Sequence, residues 1–168
     1  MKIVIATKNR GKLQEFKAIL GGDVISMDEA GVGIDIAEDA DSFEGNALKK
    51  AVEVMRLCGE VTIADDSGIC VDALGGAPGV YSARYAGNRD DAENNLKLLR
   101  DMEGKINRRA KFVCALAVAF PDGRTEIVTG EMHGEIASDM RGDGGFGYDV
   151  LFYLPEYGMT SAERKSVV

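Results

Sequence analysis

Two long runs of strand-forming residues, "AKFVCALAVAF" and "RTEIVTGEMHGEI", are separated only by "PDG". A turn tripeptide between two such stretches specifies a β-hairpin, and therefore antiparallel pairing. The first sixty residues obey a different rule. There the short strand-like runs "KIVIAT", "DVISM" and "EVTIA" alternate with helical patterns. Leu13, Phe16, Ile19 and Leu20 recur at helical spacing until Gly21-Gly22 stop the helix. Phe43, Ala47, Leu48, Ala51, Met55 and Cys58 form a second apolar stripe, opened by Ser42 or Asp41 as cap and closed by Gly59. Strands separated by helices together with a hairpin require a mixed sheet with flanking helices, an α/β fold.

Further along, Asp90 through Met102 reads as a helix with Leu96, Leu99 and Met102 facing inward. "GIDIAEDADSFEG" is an acidic loop, "GGAPG" a turn, and "GDGGFGYDVLFYL" a glycine-rich turn leading into one more strand. There is no repeat, low-complexity tract or linker. A chain of 168 residues with this organisation is read as one domain over residues 1–168, large enough to bury a core.

Composition removes several kinds of function. Apolar runs such as "FVCALAVAF" are too short to span a bilayer, and "MKIVIATKN" lacks the pattern of a signal peptide, so a cytoplasmic protein with no membrane partner is expected. Cys58, Cys70 and Cys114 are isolated, without a CxxC pair, which argues against a disulfide framework or a zinc ribbon. The single histidine, His133, excludes an HExxH zinc enzyme and is read as a strand residue with a satisfied ring and no catalytic role. A net charge of −8 argues against nucleic-acid binding, which depends on Lys and Arg at phosphates. It still permits a nucleotide ligand if Mg²⁺ bridges phosphates and carboxylates.

Three short stretches can carry chemistry. "ATKNRGK", residues 6–12, joins the first strand to the first helix, where free backbone N–H groups and the helix dipole favour an anion. Thr7 and Asn9 offer neutral donors, and Lys8, Arg10 and Lys12 offer charge. It is not a Walker loop, because Leu13 stands where a Mg²⁺-binding hydroxyl is required. Asp65-Asp66-Ser67 follows an apolar strand and reads as a turn, a metal site or a base; side chains alternate along a strand, so one aspartate at most faces a given site. Its weight comes from the acidic loop with Glu38 and the helix with Lys50, since a hard divalent cation takes carboxylate oxygens from separate elements. In "GGFGYD", residues 144–149, the glycines allow close backbone approach to a ligand, Phe146 can stack on a planar base, and Asp149 can accept hydrogen bonds from its edge. The alternative is a turn with Phe146 and Tyr148 packed in the core.

Taken in order, "ATKNRGKLQEF", "FEGNALKKA", "IADDSGICVDALGGAPGVYSARYAG" and "GGFGYDVLF" resemble the inosine triphosphate pyrophosphatase family, the Ham1-like enzymes that hydrolyse non-canonical purine nucleoside triphosphates such as ITP, dITP and XTP. The resemblance spreads over nearly the whole chain. It implies an elongated, two-lobed α/β fold around a central mixed sheet, with a cleft between the lobes, a homodimer, and dependence on Mg²⁺. It also implies attack of water at the α-phosphorus, with release of a nucleoside monophosphate and pyrophosphate. By motif, Thr7, Lys8, Asn9, Arg10, Gly11 and Lys12 hold phosphates. Asp66 is base and metal partner, Glu38 the second metal-linked carboxylate, and Asn46 and Lys50 helix residues near the phosphates, Lys50 being catalytic with Asp66. Ser67 contacts substrate, Phe146, Gly147, Tyr148 and Asp149 surround the base, and Lys165 belongs to the same set.

Two departures from the family pattern stand out. Val150 replaces the usual Pro after the GFGYD stretch. The family pattern has several more residues between an Ala-Glu like Ala162-Glu163 and a lysine like Lys165, and its Ser-His-Arg-Gly stretch and terminal helix would follow Val168. The competing readings are a related pyrophosphatase for pyrimidine or modified nucleotides and a catalytically silent nucleotide-binding module.

Overall fold

The structure is a computed structural model and describes residues 1–165. Its elements run β1 (Ile3–Ile5), α1 (Arg10–Leu20), β2 (Val24–Ser26), α2 (Phe43–Cys58), β3 (Val61–Val71), α3 (Asp91–Asp101), β4 (Arg109–Ala119), β5 (Thr125–Ile136), β6 (Phe152–Leu154), β7 (Met159–Thr160) and α4 (Ser161–Lys165), with 3₁₀ turns at Asp72–Leu74 and Gly79–Arg84. The seven strands order as β2-β1-β3-β4-β5-β6-β7. β1 pairs in parallel with β2 and β3, whereas β5–β6 and β6–β7 are antiparallel. The sheet is mixed, as the sequence requires. β4 and β5 are neighbours joined by a short turn in which Phe120 N–H donates to Arg124 O at 2.9 Å; so short a connection permits only an antiparallel pair.

The chain forms two compact units: Met1–Asp66 with Cys114–Gly130, and Ser67–Val113 with Glu131–Val168. In the first, Val4, Ile5, Ala47, Ala51, Val54 and Ala64 are almost wholly buried. Small residues at Ala47 and Ala51, one helical turn apart on α2, allow close packing of that helix. Ser42 caps α2 by accepting the Gly45 N–H, and Gly59 ends it in the left-handed conformation, at φ 70°. That geometry costs glycine no Cβ clash. In the second unit Ile69, Val71, Leu98, Met102, Tyr148, Leu151 and Phe152 form the core, with the Phe112 and Phe152 rings 4.3 Å apart between centroids.

Three local readings change. Asp65 and Asp66 do not close a strand: β3 runs on through Ser67 to Val71, so the pair sits mid-strand, and the turn reading is excluded. The apolar Ile69 and Val71, both 0 % exposed, carry the strand past the polar residues into a second core. On α3 the buried leucine is Leu98 at 0 % exposure; Leu96, expected inward, is 42 % exposed, because Asn94 and Asn95 occupy the inner face instead. On α1 no residue is fully buried, and Ile19 is 79 % exposed. His133 lies on β5 as expected, exposed, with its ring Nε2 3.1 Å from Glu131. No helix among the described residues is long and apolar enough to cross a membrane.

Candidate active site

The structure gathers the sequence-derived candidates into two groups, one in each unit. The first begins at the loop before α1. Asn9 is the N-cap: its Oδ1 accepts the Lys12 N–H at 3.1 Å, while Thr7 Oγ1 accepts the Asn9 N–H at 3.1 Å. Both side chains, expected as donors to a ligand, thus shape the loop as acceptors. Arg10 and Gly11 form the first turn of α1, where an α-helix leaves N–H groups without intrahelical partners. The Lys8 ammonium reaches Asp35 at 2.5 Å on an exposed surface.

Lys12 points back toward β3. Its Nζ is 2.5 Å from Asp65 Oδ2, with Asp65 almost fully buried. Burial works against the Lys12 charge, but the Asp65 carboxylate outweighs it and holds the ammonium above its ordinary value, with Asp66 adding to the effect. Asp65, the other carboxylate of the pair on this alternating strand, has a partner of its own. Lys12 is that partner.

Asp66 is met from α2. Asn46, 1 % exposed, donates from Nδ2 to Asp66 Oδ2 at 2.9 Å and accepts the Ala40 N–H on Oδ1 at 2.9 Å. One side chain therefore fixes the carboxylate and the end of the acidic loop together. One turn further along α2, Lys50 Nζ is 2.6 Å from Glu38 Oε1, both side chains largely buried. Burial pushes the Asp66 carboxyl up. The Asn46 hydrogen bond and the Lys50 charge oppose that, and the Glu38 charge acts with it. A buried carboxylate with raised proton affinity, held by an amide and flanked by lysine, is equipped to take a proton from water.

Glu38 and Asp66 supply hard oxygen donors, and the Glu38 charge disfavours that of Asp66, a cost that a divalent cation would relieve. Among the described residues no three His, Cys, Asp or Glu side chains gather into an all-protein metal cage. Such a donor set fits Mg²⁺, which is typically bound by one or two carboxylates plus substrate phosphates and water.

The second group is the 144–149 loop with Lys165. Asp149 is 5 % exposed; its Oδ2 accepts the Phe146 N–H at 3.0 Å and lies 3.1 Å from Lys165 Nζ. The same ammonium sits 5.2 Å from the centroid of the Phe146 ring, and that ring is 37 % exposed. Gly145 has φ 70°, and a Cβ there would stand 2.0 Å from Asp149 Oδ2, so any side chain at this position is strained and displaces the Asp149 carboxylate. Tyr148 departs from the expectation that all of residues 146–149 face a ligand. Its ring is in the core and its hydroxyl donates to Ser82 O at 2.6 Å. Ser67, half-buried on β3, belongs to this unit.

The Ham1 family model matches residues 3–167. A dITP/XTP pyrophosphatase of Desulforamulus reducens is 48% identical over 97% of this chain and 84% of its own length. One from Geobacillus kaustophilus is 51% identical over 96% of this chain and 82% of its own. Among solved structures, the Staphylococcus aureus Ham1 protein superposes with a TM-score of 0.88 at 42% identity, covering 97% of this chain and 86% of that one. A HAM1 protein from Coxiella burnetii gives 0.88 at 38% identity over 97% and 86%. Sequence and fold agree along nearly the whole length, and the chain belongs to the Ham1 family.

Proposed function

We propose that this protein hydrolyses non-canonical purine nucleoside triphosphates, of the dITP and XTP kind, to the nucleoside monophosphate and pyrophosphate. The observation that carries the chemistry is the Asp66 carboxylate, buried mid-strand and gripped by Asn46 at 2.9 Å. In this reading Asp66 takes a proton from a water as the water's oxygen bonds to the α-phosphorus. The bond from that phosphorus to the bridging oxygen breaks, and pyrophosphate leaves with the electron pair. Lys8, Lys12 and Lys50 balance the charge of the phosphates, and the N–H groups of Arg10 and Gly11 bind them at the start of α1. Asn46 acts through Asp66, since its amide is buried and engaged at both ends.

Glu38 and Asp66 would hold Mg²⁺, which supplies charge neutralisation and a more acidic bound water. Phe146 stacks on the purine, and the Asp149–Lys165 pair reads its edge; Ser67 contacts the substrate. Tyr148 supports the loop from the core. The exposed Ile127 and Val128 of β5 offer apolar surface for a second copy, in keeping with a homodimer; sedimentation at micromolar concentration tests this. Three free thiols suit a reducing cytoplasm.

Hydrolysis in ¹⁸O-water tests the reaction class. The account expects the label in the nucleoside monophosphate and none in pyrophosphate. Label in orthophosphate, or binding without product, contradicts it.

A further inference from the structure

The 144–149 loop is gripped from behind by α3, at a point no sequence motif marks. Gly147 N–H donates to Asp91 Oδ2 at 2.9 Å, and Gly147 O accepts from Asn95 Nδ2 at 2.9 Å. Asp91 and Asn95 are four residues apart, on one face of the helix. Both backbone polar groups of a single residue are therefore held by one turn of α3. Gly147 is in the left-handed region, at φ 58°, and it lies between the exposed Phe146 ring and the buried Asp149 carboxylate. Fixing its peptide planes fixes the direction in which both side chains leave the loop.

A second observation concerns Asn95 itself. It is 3 % exposed and donates to two carbonyls, Asp91 O at 2.8 Å and Gly147 O. Its own Oδ1 is buried without a hydrogen-bond partner among the described residues. The two donor bonds set the orientation of this amide. The neighbouring Asn94 does the corresponding work on the Gly79–Arg84 3₁₀ segment and the turn after it, donating to Ala83 O at 3.0 Å and accepting Ala86 N–H at 2.7 Å. That segment in turn receives the Tyr148 hydroxyl at Ser82 O.

We propose that Asp91 and Asn95 are positioning residues for base discrimination, setting Phe146 and Asp149 through the two backbone groups of Gly147. The proposal rests on the functional reading above. Neither residue touches substrate; they act through Gly147. Loosening the loop changes how well one purine is told from another, and leaves the phosphate-binding group of the other unit as it is.

The test compares kcat/KM for ITP and ATP, inhibition by inorganic tripolyphosphate, and thermal midpoints, in wild type and in Asp91→Ala, Asn95→Ala and Asp91→Asn. Asp91→Ala and Asn95→Ala should each lower the ITP/ATP ratio by about tenfold, the worth of one good hydrogen bond at the reading site. The loss should lie in KM for ITP more than in kcat, with tripolyphosphate inhibition unchanged. Asp91→Asn keeps an acceptor for the Gly147 N–H and should restore the ratio, which separates the grip from the helix-end charge of Asp91. If Asp91→Ala does not fold, Asn95→Ala and Asp91→Asn carry the comparison. An unchanged ratio in folded variants overturns the proposal, as does a uniform loss on ITP, ATP and tripolyphosphate that Asp91→Asn does not rescue. A wild-type protein that releases no pyrophosphate from ITP overturns the functional reading instead, and the proposal with it.

Discussion

The two candidate groups are built by opposite means. In the first unit the candidate side chains hold one another: Lys12 pairs with Asp65, Lys50 with Glu38, and Asn46 with Asp66. In the second unit the backbone is what is held, through the Phe146 N–H on Asp149 and both polar groups of Gly147 on α3. Pairing between side chains fixes the first group, and contacts to backbone groups fix the second. Charged pairs buried on a strand resist movement because separating them leaves a desolvated ion. A loop secured by hydrogen bonds to its backbone keeps its shape while its exposed side chains remain available to a ligand.

Substitutions can break this contrast in order of expected size. Asp66→Asn removes charge and basicity while keeping the shape of the side chain; turnover should fall by about 10²–10⁴-fold with the thermal midpoint nearly unchanged. Near-normal turnover would remove Asp66 from the chemistry. Lys12→Met takes the ammonium from a nearly buried Asp65, and urea denaturation should show a loss of about 3 kcal/mol. A loss below about 0.5 kcal/mol would mean that the pair behaves like a surface ion pair.

Gly145→Ala drives a Cβ into the Asp149 carboxylate at a backbone angle that suits glycine. We expect about 2 kcal/mol of lost stability together with poorer ITP/ATP discrimination. Retained discrimination would show that Asp149 does not read the base. Phe146→Ala should weaken nucleotide binding about tenfold while sparing tripolyphosphate, and equal losses for both would argue against stacking. Ser42→Ala, the smallest change, removes the α2 cap and should cost about 1 kcal/mol without altering the substrate ratio.

Much of this architecture was legible in the residues. The helices, the hairpin and the mixed sheet follow from periodicity and from the turn chemistry of Gly21, Gly59 and Pro121-Asp122-Gly123, because these are local signals. The continuation of β3 through Asp65-Asp66 was not legible. Two adjacent carboxylates before Ser-Gly look like a turn until Lys12 and Asn46, 53 and 20 residues away, arrive to pair with them. On α3, Leu99 and Met102 pack on the core as their spacing predicts, and only Leu96 departs, for the same reason. Asn94 and Asn95 are buried for the loops they bond, and hydropathy cannot anticipate a buried amide whose partners lie at Ala83, Ala86 and Gly147. Tyr148 split from Phe146 because adjacent residues of one motif left the loop toward different surroundings, the core and the solvent.

The most direct measurement is pyrophosphate release from ITP and from ATP, each with and without Mg²⁺, by the full chain. The account expects Mg²⁺-dependent release from ITP far exceeding that from ATP. Equal release from both nucleotides, or none from ITP with Mg²⁺ present, would contradict it.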